Sequence, residues 1–72
     1  MNMRQLRERM NLRTVDVASK LGVAESSVRN WERGRSVPRL EQVKQLMTLY
    51  KCSFDELYDA IASSGEDVEV RA

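Results

Sequence analysis

At 72 residues, 42% of them hydrophobic, the chain has room for one domain around one small core, and its composition excludes disorder throughout. Its single cysteine, Cys52, excludes an intramolecular disulfide, and with no histidine the sequence lacks the usual metal ligand and the usual general base. The net charge of +1 is unevenly split: residues 1–39 carry nine Lys/Arg against four Asp/Glu, hence +5, and residues 40–72 carry three against seven, hence −4, so a basic half suited to a polyanion precedes an acidic one.

In chain order, Met3, Leu6, Arg7 and Met10 fall at i, i+3, i+4 and i+7, which predicts a first amphipathic helix over about 2–10, ended at Asn11. Thr14, Val17, Ala18 and Leu21 repeat that spacing for a short second helix, stopped by Gly22. A third helix is expected over 24–33, ending at Gly34, and Arg35-Ser36-Val37-Pro38 reads as a loop because the residue before proline is pushed out of the helical region. Leu40, Val43, Leu46, Met47 and Tyr50 mark a fourth helix. Ser53-Phe54-Asp55-Glu56 fits a capping box opening a fifth helix that carries Phe54, Leu57, Tyr58 and Ile61. These elements predict an all-α, compact five-helix bundle with one core over residues 1–62. Residues 63–72 read as a polar, acidic C-terminal tail, flexible or part of a dimer contact, with the alternation Val68-Glu69-Val70 able to pair as a strand in an assembly.

The third helix holds the functional information. At about 100° per residue, Ala24, Val28, Trp31 and Glu32 share one core-facing arc, while Ser26, Arg29, Asn30 and Arg33 gather opposite, with Glu25 and Ser27 on the flanks. Tryptophan is therefore read as core and not as a stacking platform. A carboxylate does not enter a core uncompensated, and Arg7 on the first helix is the matching anomaly. We expect the two to form a semi-buried structural ion pair tying helix 1 to helix 3. On the outer face, serine, arginine and asparagine are types that hydrogen-bond base edges or phosphates, and Glu25 can accept from a cytosine amino group. Arg13, Arg35 and Arg39 surround that face and are expected to hold phosphates.

The runs TVDVASKLGVAESSVRNWERG and RSVPRLEQVKQL, with the later SFDEL, resemble the phage repressor and Cro-like (XRE-type) helix-turn-helix domains. The landmarks are Leu12, Ala18, Leu21-Gly22-Val23, Val28, Trp31-Glu32, Gly34, Pro38 and Ser53–Leu57, and the likeness covers about residues 3–61. It implies a lambda-repressor-like fold in which helix 2 crosses the DNA backbone and helix 3 lies in the major groove. It also implies an arginine–glutamate pair at Arg7 and Glu32. By position it assigns Glu25, Ser26, Arg29 and Asn30 to base reading, and Thr14, Ser27, Arg33, Arg35 and Arg39 to phosphate contacts. The sequence departs from the family at three places: Arg13 and Ala24 stand where helix-capping residues are usual, and Glu25 replaces a commoner glutamine.

The expected function is sequence-specific double-stranded DNA binding by a repressor-like transcriptional regulator. It is expected to act as a homodimer through helix 5 and the tail, with Leu57, Tyr58, Ile61, Val68 and Val70 as the self-association surface; the other reading is that these residues close the core, which is favoured for Leu57 and open for Tyr58 and Ile61. The alternative is an antitoxin or adaptor module that holds a partner protein. An enzyme is the weakest reading, since no nucleophile–base constellation or phosphate loop is present, and RNA binding lacks an outward aromatic residue. No cofactor, metal or small-molecule ligand is indicated. Nothing resembles a signal peptide and no apolar run approaches membrane-spanning length, which predicts a cytoplasmic protein.

Overall fold

Four of the five helices begin where a side chain two or three residues inside reaches back to the helix start. In the computed structural model, which describes residues 1–64, the elements are α1 (Met3–Arg9), α2 (Thr14–Leu21), α3 (Glu25–Arg33), α4 (Leu40–Tyr50) and α5 (Phe54–Ser64). The described chain is all-α. At α1, Asn2 Oδ1 accepts from the Gln5 N–H at 2.9 Å and Gln5 Oε1 accepts from the Asn2 N–H at 2.8 Å. Ser53 and Glu56 make the same reciprocal pair at α5. Asp16 and Gln42 accept from the backbone N–H of Arg13 and Arg39, which start α2 and α4. Each such bond satisfies a donor that the first helical turn leaves orphaned. Only α3 starts without one: Ala24 offers no side-chain oxygen.

Stops follow from backbone conformation. Gly22 has φ +71°, and a Cβ there would meet nothing within 4 Å, so the left-handed turn and not crowding is what requires glycine. Asn11 and Lys51 also take positive φ, at 59° and 54°. Lys51 ends α4 without a glycine, and the Arg9 guanidinium steadies that end by donating to the Tyr50 carbonyl at 3.0 Å.

Each helix places two side chains in one core: Met3 and Leu6, Val17 and Ala18, Val28 and Trp31, Leu46 and Tyr50, Leu57 and Ala60. Burying a side chain of the Leu or Val class is worth about 1.5–3 kcal/mol, so these pairs supply most of the force that holds short helices together. The Tyr50 hydroxyl is buried without a partner among the described residues, and burial pushes its pKa well above the ordinary phenol value. The first and last helices are tied together, because Ser64 Oγ accepts from the Met3 N–H at 3.2 Å and donates to the Ala60 carbonyl at 2.8 Å.

The last helix runs through Ser64, whose hydroxyl is anchored inside. One expectation needs correction. Ala24 is exposed and extended, φ −71° and ψ 149°, so it precedes α3 and is not on its core stripe. Leu40 and Phe54, the first residues of α4 and α5, are 78% and 50% exposed, and Tyr58 is 62% exposed. Val68 and Val70 lie outside the described residues. No helix of the described residues is long and apolar enough to cross a membrane.

Candidate nucleic-acid interface

The interface is built on α3, whose direction is set from behind. Val28 and Trp31, 1% and 4% exposed, anchor one side of the helix in the core. At helical spacing that leaves Ser26, Arg29, Asn30 and Arg33 along the opposite side. Ser26, Arg29 and Arg33 are exposed and Asn30 is half-buried. The αL glycines at both ends, Gly22 and Gly34, release the chain cleanly, so α2 and α3 meet as two short helices joined by a tight turn.

A third constraint comes from α1. Arg7 Nε donates to Glu32 Oε2 at 2.7 Å and Nη2 donates to Oε1 at 3.2 Å, a two-pronged ion pair. Arg7 Nη1 also donates to the Leu12 carbonyl at 3.0 Å, so one guanidinium fixes α3 to α1 and to the loop before α2. Both side chains are nearly withdrawn from water, at 12% and 10% exposure. Donation to the Glu32 carboxylate is the main cause that raises the Arg7 pKa further, which keeps the guanidinium charged at any ordinary pH.

The start of the interface is cross-linked too. Glu25 Oε2 accepts from Thr14 Oγ1 at 2.5 Å and from Arg29 Nη2 at 3.0 Å, joining the first turns of α2 and α3. Two consequences follow. The Thr14 hydroxyl already donates its one hydrogen bond to Glu25, so the donor that Thr14 has left for an anion is its backbone N–H at the start of α2. Arg29 is held along the helix by an exposed partner, a contact that a phosphate or a base edge can displace at little cost. Arg13 is likewise paired with Asp16, and its guanidinium holds the Asp16 carboxyl below the ordinary range.

Clefts flank α3 on its two sides. On the α4 side, Ser27 and Arg39 share a cleft of about 640 Å³ with the Gly22-Val23-Ala24 turn and the edge of Trp31. On the α1 side, Arg29 and Arg33 share one of about 380 Å³ with Asn2, Arg4, Arg7 and Glu32. The structure therefore joins Thr14, Glu25 and Arg29 directly and sets Ser27 with Arg39 and Arg29 with Arg33. Arg35 stands exposed in the loop after α3, and Ser26, Asn30, Arg33 and Arg35 have no side-chain hydrogen bond among the described residues.

Sequence reasoning missed Asn2 and Arg4, which enter the α1-side cleft, and Asp16, which occupies Arg13. The signal for Arg4 was present: it stands three residues before Arg7 on α1, so a bond from Arg7 to α3 brings Arg4 alongside. A family model described as a helix-turn-helix domain matches residues 2–60, most of the chain. No curated protein and no solved structure matches the chain.

Proposed function

From a chain that belongs to the helix-turn-helix domain family and is thereby a DNA-binding domain, we propose a narrower reading: a cytoplasmic, repressor-like transcriptional regulator that recognises a specific double-stranded sequence with α3 in the major groove. The observation that carries it is the two-sidedness of α3. Its back is pinned by Val28, Trp31 and the Arg7–Glu32 pair, and its front offers Ser26, Asn30 and Arg33, whose side chains make no hydrogen bond among the described residues, beside Arg29, which is held by Glu25.

In this reading Ser26 and Asn30 meet base edges from the centre of the front. Arg29 leaves Glu25 to fork onto a guanine, the commonest specific contact of an arginine in the major groove. The second carboxylate oxygen of Glu25 stays available to accept from a cytosine amino group. Phosphates are held by Ser27, Arg33, Arg35 and Arg39, by Arg13 once it exchanges Asp16 for DNA, and by the Thr14 backbone N–H at the start of α2.

The protein acts as a homodimer, which doubles the number of bases read by so small a domain. Leu57 is fully buried and leaves the proposed contact surface. Exposed Tyr58 and half-buried Ile61 remain in it, joined by exposed Phe54, whose ring lies 6.1 Å from that of Tyr58.

Selection of binding sites from a random duplex pool tests the reading. The expected result is an enriched motif with two-fold symmetry, half-sites about 10 bp apart, and altered preference at defined positions for Arg29→Ala and Asn30→Ala. An unenriched pool would overturn it in favour of a module that binds a partner protein.

A further inference from the structure

We propose that the cleft between α1 and α3 is a phosphate site, and that α1, through Arg4, belongs to the nucleic-acid interface. The inference rests on the reading of α3 given above and adds to it Arg4 of α1, which that reading leaves idle. Four of the six side chains lining the cleft are arginines, Arg4, Arg7, Arg29 and Arg33, against one carboxylate, Glu32, with Asn2 completing the wall.

Charge bookkeeping identifies the ligand. Glu32 is consumed by Arg7 through two hydrogen bonds. Arg4 and Arg29 are paired with Glu8 and Glu25 at exposed positions on their own helices, contacts that yield readily to a better anion. Arg33 has no ion-pair partner among the described residues. A concave site with this excess of positive charge focuses its field on an incoming anion. One carboxylate presents two oxygens in one plane and satisfies a single fork. Several forks converging from two helices suit the tetrahedral oxygens of phosphate.

Position identifies the source. Arg29 and Arg33 sit on the edge of the front of α3, and Ser27 and Arg39 sit on the other edge, in the α4-side cleft. A helix lying in a major groove has a backbone strand along each side. The α4-side cleft meets one strand, and the α1-side cleft receives a phosphate of the other. Arg7 stays with Glu32 as the floor, while Arg4 and Arg33 swing onto the phosphate from opposite walls.

The test compares Arg4→Ala and Arg4→Lys with the unmodified chain, binding the selected duplex across a salt series. Arg4 is exposed, so the fold is retained, and circular dichroism checks it. For Arg4→Ala the slope of log affinity against log salt should fall in magnitude by about 0.9, the value for one phosphate contact. The sequence preference should not change, and Arg4→Lys should keep the slope. In parallel, inorganic phosphate is titrated while the guanidinium Nε resonances of Arg4 and Arg33 are followed by NMR.

A reduced slope assigns the site to a backbone phosphate. An unchanged slope with saturable shifts, lost in Arg4→Ala, assigns it to free phosphate. An unchanged slope without shifts overturns the site altogether. Arg35→Ala serves as the control: if it also leaves the slope intact, the reading of α3 has failed and not only this extension.

Discussion

Arg7 shows how one charge can serve geometry. Its three hydrogen bonds reach Glu32 twice and Leu12 once, so the angle at which α3 leaves the core depends on a single side chain. Removing either partner leaves the other charged and nearly buried, which typically costs about 3–5 kcal/mol. Arg7→Ala and Glu32→Ala should therefore each lower thermal stability severely. The double variant should lose less than the sum of the two, since it strands no charge. Thermal or urea melts of the three variants measure the coupling, and strict additivity would show that the two side chains act independently. This pair was legible in the sequence because each residue sat in register with an apolar stripe. The Thr14–Glu25 bond was not legible, since nothing in local spacing says that the first turns of α2 and α3 lie within reach of each other. Nor was the donation from Arg9 to the Tyr50 carbonyl, which joins residues far apart in the chain.

Among the elements, starts and stops proved more readable than the directions of first residues. The Ser53–Glu56 box, Gly22 and Gly34 carry their local chemistry in their own side chains or lack of one, and the helix bounds follow from them. Ala24 shares the core-facing arc of the third helix at helical spacing, and Leu40 and Phe54 fall in the apolar spacing of the fourth and fifth, yet all three are exposed. The reason is geometric. A helical Cα–Cβ bond tilts toward the N-terminus, so the first residue of α4 or α5 leans out over the preceding loop and away from the core. Ala24 has not yet entered the helix at all. Its lack of a capping oxygen makes a prediction about α3. Ala24→Ser should supply an acceptor for the Ser26 or Ser27 N–H and stabilise the protein by about 0.5–2 kcal/mol. A gain of 1 kcal/mol raises the Tm of a domain this size by about 4–8 °C. Calorimetry together with slower hydrogen exchange at those two amides would register it; an unchanged Tm would mean that the start of α3 is already held by the Thr14–Glu25 link.

Across the whole molecule the charge division becomes spatial. The basic half forms α1, α2, α3 and the Arg35–Arg39 loop, and the acidic half forms α4 and α5, so the face proposed for DNA and the face left for a protein contact are built from different parts of the chain. That division was visible in the sequence. What was not visible is the apolar groove it leaves on α4 and α5, about 330 Å³, lined by Leu40, Val43, Met47 and Phe54. Leu40 and Phe54 lie in it because they lean outward as first residues. Its rim carries Glu41 and Lys44, one acid and one base three residues apart, so a second copy turned through a two-fold axis can set each against its opposite. Through Phe54 this groove continues into the contact surface proposed on Tyr58 and Ile61, and the proposed homodimer should form across both. Leu40→Glu and Phe54→Glu place a carboxylate in the first turn of α4 or α5, where the helix dipole welcomes it, and neither side chain belongs to the buried core. Both variants should therefore keep their helicity and melt cooperatively while losing self-association in sedimentation equilibrium. On duplex DNA carrying an inverted repeat, each should fill the two half-sites independently, whereas the unmodified chain fills them together. Affinity for an isolated half-site should not change, because α3 is untouched. If the unmodified chain sediments as a monomer and fills both half-sites without cooperation, the groove has another purpose and the dimer is lost, even though recognition by α3 would stand.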